Sequence, residues 1–234
     1  MRDGFLELLF PSRCFGCREL GPEICNRCRS NWNPHIYIQK LERLKIYSAI
    51  DYNETAKSIL LGAKEGSIKT ADDLIVRALQ HCLDRAPGIS IRDLTFVPIP
   101  STKKAIRRRG RNFLLEITER FALPYRANVI DALEINRKIF DQTKLNAINR
   151  RKNLFNAYTC NLPTDEIRNL SNVILVDDLV TTGSTINEAH RALSAAGLGL
   201  GSTRRAVRRR RFRPAGRLGP GGGGRTRCPR RQDR

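Results

Sequence analysis

The stretch Val173–Thr185, VILVDDLVTTGST, carries the most specific pattern in the chain. Its first four residues are apolar and mostly β-branched, which predicts a short strand buried on both faces, as in a parallel sheet. Two adjacent carboxylates, Asp177 and Asp178, follow this strand, and a loop rich in hydroxyl groups comes next. In an open α/β sheet, ligands bind outside the carboxyl ends of the strands, so this loop lies where a binding site is expected.

The loop after the acidic pair is suited to binding a phosphate. Its glycine lets a ligand approach the backbone, and it leads into a predicted helix whose N-terminal N–H groups favour anions. It is not a Walker loop, because no lysine follows the glycine. Carboxylates repel a phosphate, so Asp177 and Asp178 suit the vicinal hydroxyls of a ribose, or Mg²⁺ held between hydroxyls and a diphosphate. The alternative is an ordinary strand–loop–helix turn. The loop residues are Thr181, Thr182, Gly183, Ser184 and Thr185.

Predicted strands and helices alternate along the rest of the chain. This alternation predicts an α/β fold with a mainly parallel sheet. Thr70 with Asp73, and Thr185 with Glu188, have the spacing of helix N-terminal caps. Strands are predicted at 44–53, 94–100 and 171–176, and helices at 54–64, 70–83, 111–123 and 184–197.

Four cysteines near the N-terminus form two CxxC pairs separated by seven residues. Four thiolates at this spacing can close a tetrahedral Zn²⁺ site with no open position, which makes the site structural. A redox pair or unrelated thiols are the alternatives. The segment is too small to bury a core by itself, so the metal would supply its folding free energy. The predicted zinc ligands are Cys14, Cys17, Cys25 and Cys28.

Basic residues cluster in two segments that precede the acidic pair. The first follows the predicted strand at 94–100, and the second lies within 141–158. Such clusters can bind a diphosphate or a nucleic-acid backbone, whereas the alternative is a loop whose charges are solvated. No residue is identified as catalytic. The candidate contacts are Lys103, Arg107, Arg108, Arg109, Arg150 and Arg151.

The composition changes after Gly197. Residues 198–234 contain 13 arginines, no lysine and one acid, so they contribute +12 to the formal net charge of +20. The segment lacks apolar periodicity, and no strand is predicted in it. A nucleic-acid-binding arm is one interpretation. We favour a disordered Arg/Gly-rich tail or the product of a frameshift in a GC-rich gene, and no function is based on this segment.

The sequence predicts a cytoplasmic protein without a membrane span. No apolar run approaches the roughly 18 residues that cross a bilayer. The N-terminal residues lack the charged, apolar and small-residue regions of a secretory signal. The seven cysteines, four clustered and three scattered, do not form the disulfide framework of a secreted protein.

The form Asp-Asp-x-x-Thr-Thr-Gly-x-Thr after an apolar strand resembles the 5-phosphoribosyl-1-diphosphate (PRPP) binding motif of type I phosphoribosyltransferases. The resemblance implies that Asp177 and Asp178 contact the ribose 2′ and 3′ hydroxyls. It also implies that Thr181–Thr185 hold the 5′-phosphate and that Mg²⁺ binds together with PRPP.

The order of motifs is similar to that of the ComF/GntX family: zinc knuckles, Val-Pro-Ile-Pro with Arg-Gly-x-Asn, Gln-x-x-Leu followed by Arg-x-x-Asn, and then the PRPP motif. The resemblance covers roughly residues 8–197. It implies a Rossmann-like sheet of the type I phosphoribosyltransferase fold and a role with single-stranded DNA during uptake in natural competence, with a competence helicase as partner. Two features depart from the family: RGRNF at 109–113 stands where RGFNQ is expected, and the last strand of the sheet is not predicted.

The chain therefore divides into three predicted parts: a zinc-binding module at 1–43, a phosphoribosyltransferase-like domain at 44–197, and the tail at 198–234. Three functions stay open. One is an active phosphoribosyltransferase, the second is a PRPP-sensing or phosphate-binding domain without turnover, and the third is a module that binds single-stranded nucleic acid.

Overall fold

A computed structural model describes residues 12–41, 44–136, 154–180 and 182–198, together with the backbone of 205–210. The described residues form helices α1–α7 and strands β1–β8. The helices are α1 Asn26–Trp32, α2 Glu54–Gly66, α3 Lys69–Asp84, α4 Lys103–Arg109, α5 Phe113–Ala122, α6 Thr164–Asn169 and α7 Ser184–Ala195. The strands are β1 Tyr37–Leu41, β2 Leu44–Asp51, β3 Thr95–Pro98, β4 Asn128–Val129, β5 Leu133–Ile135, β6 Tyr158–Cys160, β7 Val173–Val176 and β8 Arg205–Arg210.

The main sheet has six strands in the order β1-β2-β8-β7-β3-β4. Only the β1–β2 pair among these is antiparallel, and β5 and β6 form a separate antiparallel pair. The β3 and β7 residues are all buried, as their continuous apolar sequences predict. Pro98 pairs with Val176, so both strands end at the same edge of the sheet. The mixed α/β class and the parallel sheet are therefore confirmed.

Strand β8 contradicts the prediction that the segment after Gly197 forms no strand and that the sheet lacks its last strand. Its backbone pairs in parallel with β2 on one side and with β7 on the other. Without β8, the facing edges of β2 and β7 would have backbone N–H and C=O groups without partners. Pairing with these groups explains why residues 205–210 form a strand although their sequence lacks apolar alternation. The frameshift origin of residues 198–234 stays a prediction.

The position of β8 predicts that shortening the chain to residues 1–198 destabilises the whole sheet, because β2 and β7 lose their shared partner. We expect the midpoint of thermal unfolding to fall by at least about 10 °C relative to the full chain. The control is a chain of residues 1–210, which keeps β8. Equal midpoints for the two shortened chains, measured by circular dichroism, would contradict the placement of β8.

Most predicted elements are confirmed, but both predicted helix caps are wrong. Helix α3 begins after Ile68 without a side-chain cap, and the Thr70 hydroxyl instead donates to Glu23. Helix α7 begins after Gly183, and Glu188 accepts a hydrogen bond from the backbone N–H of Tyr158. In both places a long-range partner competes successfully with the local cap.

The N-terminal segment shares the core of the sheet. Strand β1 pairs with β2 across the predicted boundary at residue 43. Trp32 is buried and donates from Nε1 to the carbonyl oxygen of Leu74 in α3. The ring of Phe15 lies against Gly62 and Gly66 of α2. The cysteine-bearing segment therefore packs on α2 and α3, although the division at 43 itself stays a prediction.

Among the described residues, none of the helices has the length and hydropathy of a membrane span.

Candidate functional site

The acidic pair lies at the carboxyl edge of the sheet, directly after β7. Asp177 is buried, and its Oδ1 accepts a hydrogen bond of 2.7 Å from the backbone N–H of Asp178. The backbone N–H of Ile99, just after β3, donates to the carbonyl oxygen of Val176. The segment that follows β3 thus begins beside the acidic pair, at the edge where open α/β sheets bind ligands.

Lys64 of α2 neutralises part of this negative charge. Its Nζ forms an ion pair with Oδ2 of Asp178, and both side chains are largely buried, at 21% and 16% exposure. The Lys64 ammonium also lies 5.9 Å from the centre of the Phe113 ring. Two adjacent carboxylates at this depth need a counter-charge, because burying an unpaired charge costs several kcal/mol.

The hydroxyl-rich loop leads into α7 as predicted. Gly183 has a left-handed φ of +79°, and Ser184 is the first residue of the helix. The hydroxyl oxygens of Thr182 and Ser184 are 2.8 Å apart, and the Ser184 backbone N–H points at the Thr182 hydroxyl. Thr181 lies outside the described residues, and Thr185 lies in the first turn of α7.

Leu41 of β1 covers Gly183. A Cβ atom at position 183 would clash with Cδ2 of Leu41. Glycine is therefore needed here for two reasons, the positive φ and the close approach of the leucine. Since β1 and α2 both contact the β7–α7 loop region, the N-terminal part of the chain forms one wall of the site.

We expect Gly183→Ala to lower the free energy of unfolding by about 2–3 kcal/mol, of which about 1 kcal/mol is backbone strain. Gly110→Ala is the matched control, because Gly110 has a φ of +71° and no described atom lies within 4 Å of its Cβ position. Adding Leu41→Ala to Gly183→Ala should relieve the steric part. Urea unfolding measures all three, and equal losses for the two glycine variants would show that Leu41 does not press on the loop.

The first basic cluster forms helix α4 and not a loop, which is the alternative interpretation of this segment. The Thr102 hydroxyl accepts a hydrogen bond from the backbone N–H of Ala105 at its start, and Gly110 ends it with a φ of +71°. Lys103 and Arg107 are exposed. Arg150 and Arg151 of the second cluster lie outside the described residues.

Arg108 and Arg109 converge on a single carboxylate, that of Glu65 in α2. Arg108 is bidentate, with Nη2 2.8 Å from Oε1 and Nε 3.2 Å from Oε2. Arg109 contributes Nε at 3.0 Å from Oε1. Burial alone would raise the pKa of Glu65, but the two guanidinium groups hold this pKa below its usual range. These two predicted anion contacts are therefore occupied by a side chain of the protein.

A neighbouring ion pair connects Arg111, which lies just before α5, to α3. Both guanidinium Nη atoms of Arg111 lie 2.9 Å from the carboxylate of Asp72, which is 4% exposed. Arg111 also stacks over the Phe113 ring at 5.2 Å. This bidentate, buried pair fixes the start of α5, so we assign Arg111 to structure rather than to ligand binding.

The four N-terminal cysteines converge as their spacing predicts. Their sulfur atoms all lie within 4.8 Å of one another, and Cys17 Sγ is 3.7 Å from Cys25 Sγ. Ligands of a tetrahedral zinc with Zn–S bonds of about 2.3 Å stand roughly 3.8 Å apart, so the cluster can bind a zinc ion. A Cβ atom on Gly16 would lie 2.5 Å from Cys28 Sγ, so glycine is required beside the cluster.

The environment of the cluster favours a thiolate at one position. Burial raises the pKa of Cys14, but backbone N–H groups of Cys25, Cys17 and Gly16 outweigh it and lower this pKa to about 6. Burial and the neighbouring thiols raise the pKa of Cys28. A bound cation would lower the pKa of every thiol in the cluster. All four cysteines would then be thiolates paired with positive charge.

Sequence reasoning missed Lys64, Glu65 and Leu41. Lys64 and Glu65 lie in a helix whose charged residues look like an ordinary solvated face, and no sequence pattern connects Leu41 to the loop at Gly183. Their partners are 114, 43 and 142 residues away in the chain. Only the packing of α2 and β1 onto the carboxyl edge brings them to the site.

Comparison with known proteins shows a partial similarity to a named competence protein. The chain is 30% identical over 106 residues to the protein named Competence protein F from Haemophilus influenzae, and the match covers 44% of each chain. The chain thus matches less than half the length of this relative. No family model matches the chain.

Proposed function

We propose that this chain is a ComF-like protein whose phosphoribosyltransferase-type domain binds PRPP with Mg²⁺ and acts in DNA uptake during natural competence. The observation that carries the proposal is the arrangement at the end of β7. The acidic pair, the glycine with positive φ and the N-terminus of α7 follow one another at the carboxyl edge of a parallel sheet. The similarity to Competence protein F supports the competence role.

In the proposed complex, the two carboxylates accept hydrogen bonds from the ribose hydroxyls. The hydroxyls of Thr182 and Ser184 and the first N–H groups of α7 bind the 5′-phosphate. Carboxylate and hydroxyl oxygens are also the ligands that Mg²⁺ prefers, so the donor set fits the cation that accompanies PRPP. Thr181, Thr185 and Gly183 belong to the same proposed phosphate site.

If the protein is an enzyme, it is a glycosyltransferase of the pentosyl class. The bond between ribose C1 and the diphosphate breaks, the electron pair leaves with the diphosphate, and the nucleophilic atom of the acceptor forms the new bond to C1. Cationic side chains of α4, such as Lys103 and Arg107, would stabilise that developing charge. Asp177 and Asp178 would hold the ribose while positive charge develops at C1. The described residues identify neither a catalytic base nor the acceptor.

A second candidate is binding without turnover, either as a phosphate sensor or as a module for single-stranded nucleic acid. The engagement of Arg108 and Arg109 by Glu65 favours it, because a diphosphate must displace this carboxylate before the two cations can assist its departure. The exposed Lys103, Lys104 and Arg107 supply a basic surface for a nucleic-acid backbone. A cytoplasmic location and a competence helicase partner belong to the proposal in either case.

Exchange of labelled diphosphate with PRPP separates these candidates. An active enzyme exchanges label in the presence of its acceptor and Mg²⁺, whereas a sensor binds PRPP in calorimetry without exchange. Nucleic-acid binding is tested with a single-stranded oligonucleotide at several salt concentrations, using residues 1–210 so that β8 remains. Binding that disappears with residues 211–234 would assign the affinity to the arginine-rich segment and not to α4.

A further inference from the structure

Two consecutive residues at the end of α2 each pair with an oppositely charged part of the proposed site. Lys64 pairs with Asp178 of the acidic pair, and Glu65 pairs with Arg108 and Arg109 of α4. A PRPP molecule has the same two requirements, since its diphosphate needs cations and its hydroxyls with Mg²⁺ need carboxylates. The end of α2 therefore presents one group of each charge to the partners that the ligand would use.

Glu65 holds the arginines in the geometry of an occupied anion site. Its Oε1 lies 2.8 Å from Arg108 Nη2 and 3.0 Å from Arg109 Nη2. Guanidinium groups bind phosphate oxygens in the same bidentate manner, so the carboxylate stands in for an oxyanion. Arg108 is 60% exposed and Glu65 is 38% exposed, so solvent screens the pair and an incoming anion can exchange for it.

Lys64 occupies one carboxylate of the acidic pair, as Glu65 occupies the two arginines. Its ammonium group contacts Oδ2 of Asp178, on a carboxylate that the proposed function assigns to sugar hydroxyls and Mg²⁺. A ligand that carries only phosphate can replace Glu65 but gains nothing at Asp178. A lone divalent cation can replace Lys64 but gains nothing at Arg108 and Arg109.

We propose that Lys64 and Glu65 are specificity-determining residues, an inference that rests on the proposed PRPP site. They compete with partial ligands at both halves of the site, so that a sugar diphosphate carrying Mg²⁺ is favoured over free diphosphate or free cation. Selectivity of this kind depends on weakening the binding of the wrong ligand as much as on contacts with the right one.

The anion half is tested by calorimetry of the full chain with inorganic diphosphate and no divalent cation. Glu65→Gln should bind diphosphate at least about tenfold more tightly than the wild type, because the competing carboxylate charge is gone. Glu54→Gln is the matched control, since it removes one negative charge from the exposed start of the same helix. If Glu65→Gln and Glu54→Gln bind diphosphate equally, the proposal is wrong.

The cation half is tested with Mg²⁺ alone. Lys64→Gln should bind Mg²⁺ at least about fivefold more tightly than Lys57→Gln, which changes the same charge on an exposed part of α2. Equal Mg²⁺ affinities overturn the proposal for Lys64. Circular dichroism confirms folding of each variant, and Glu65→Asp, whose shorter carboxylate cannot span both arginines, replaces Glu65→Gln if that variant does not fold.

The two proposals fail in different ways. If wild-type protein does not bind PRPP with Mg²⁺ but Glu65→Gln still gains affinity for diphosphate, the proposed function is wrong and the competition by Glu65 stands. If wild-type protein binds PRPP, but Glu65→Gln does not change the affinity for diphosphate and Lys64→Gln does not change the affinity for Mg²⁺, the proposed PRPP site is retained. The proposed specificity role of Lys64 and Glu65 is then wrong.

Discussion

Replacing Cys14 and Cys17 by serine is expected to abolish zinc binding and to lower the midpoint of thermal unfolding by more than about 10 °C. Apparent zinc-binding free energies of small structural sites are on the order of 10 kcal/mol at neutral pH, and this free energy stabilises the folded state. Positions 14 and 28 are buried, so the loss of the metal leaves the Cys28 sulfur and the new serine hydroxyl at position 14 in the core without a zinc ion to bind.

The effect should extend beyond the cysteine cluster, because Phe15 between the first two cysteines lies against Gly62 of α2. Metal analysis should find one zinc per wild-type chain and none in the double variant. Cys160→Ser is the control, since Cys160 lies in β6 outside the cluster and should retain the metal. Zinc should also be lost as the pH falls, because protons compete with the metal for the thiolates. A double variant that unfolds like the wild type would show that the cluster is not a structural zinc site.

Replacing Asp177 and Asp178 by asparagine is expected to weaken PRPP binding at least about 100-fold. Each carboxylate that accepts a hydroxyl hydrogen bond contributes about 1.5–3 kcal/mol, and the pair together therefore accounts for at least two orders of magnitude. The fold should survive, although Lys64 loses its ion pair with Asp178.

The matched control for this prediction is Asp165→Asn with Glu166→Gln, which neutralises two adjacent acids on the exposed start of α6. PRPP with Mg²⁺ should raise the unfolding midpoint of the wild type and of this control, and leave that of the Asp177 and Asp178 variant unchanged, because a ligand stabilises only a state that binds it. Equal stabilisation of all three proteins would show that Asp177 and Asp178 do not bind PRPP.

The local patterns predicted the parts of the fold whose neighbours are close in sequence. The apolar run at Val173–Val176 forms a fully buried strand, as predicted. The spacing of the cysteines was sufficient to predict that their four sulfur atoms lie together. Both signals are local, because a buried parallel strand requires a continuous apolar sequence and a CxxC pair requires one tight turn.

The parts that sequence did not predict depend on distant partners. Strand β8 has an arginine-rich sequence, and its place follows from the open edges of β2 and β7. The basic segment after β3 became α4, where Glu65 engages Arg108 and Arg109. Charge runs carry no information about which opposite charge the fold brings near them, so Glu65 and Lys64 could be found only from the structure.

The most direct test of the central claim is a calorimetric titration of PRPP into the full chain, with and without Mg²⁺. The proposed site predicts one PRPP per chain in the presence of Mg²⁺, retained by the Asp165→Asn/Glu166→Gln control and lost in the Asp177→Asn/Asp178→Asn variant. Absence of binding to the wild type, or equal binding by the wild type and the Asp177→Asn/Asp178→Asn variant, would contradict it.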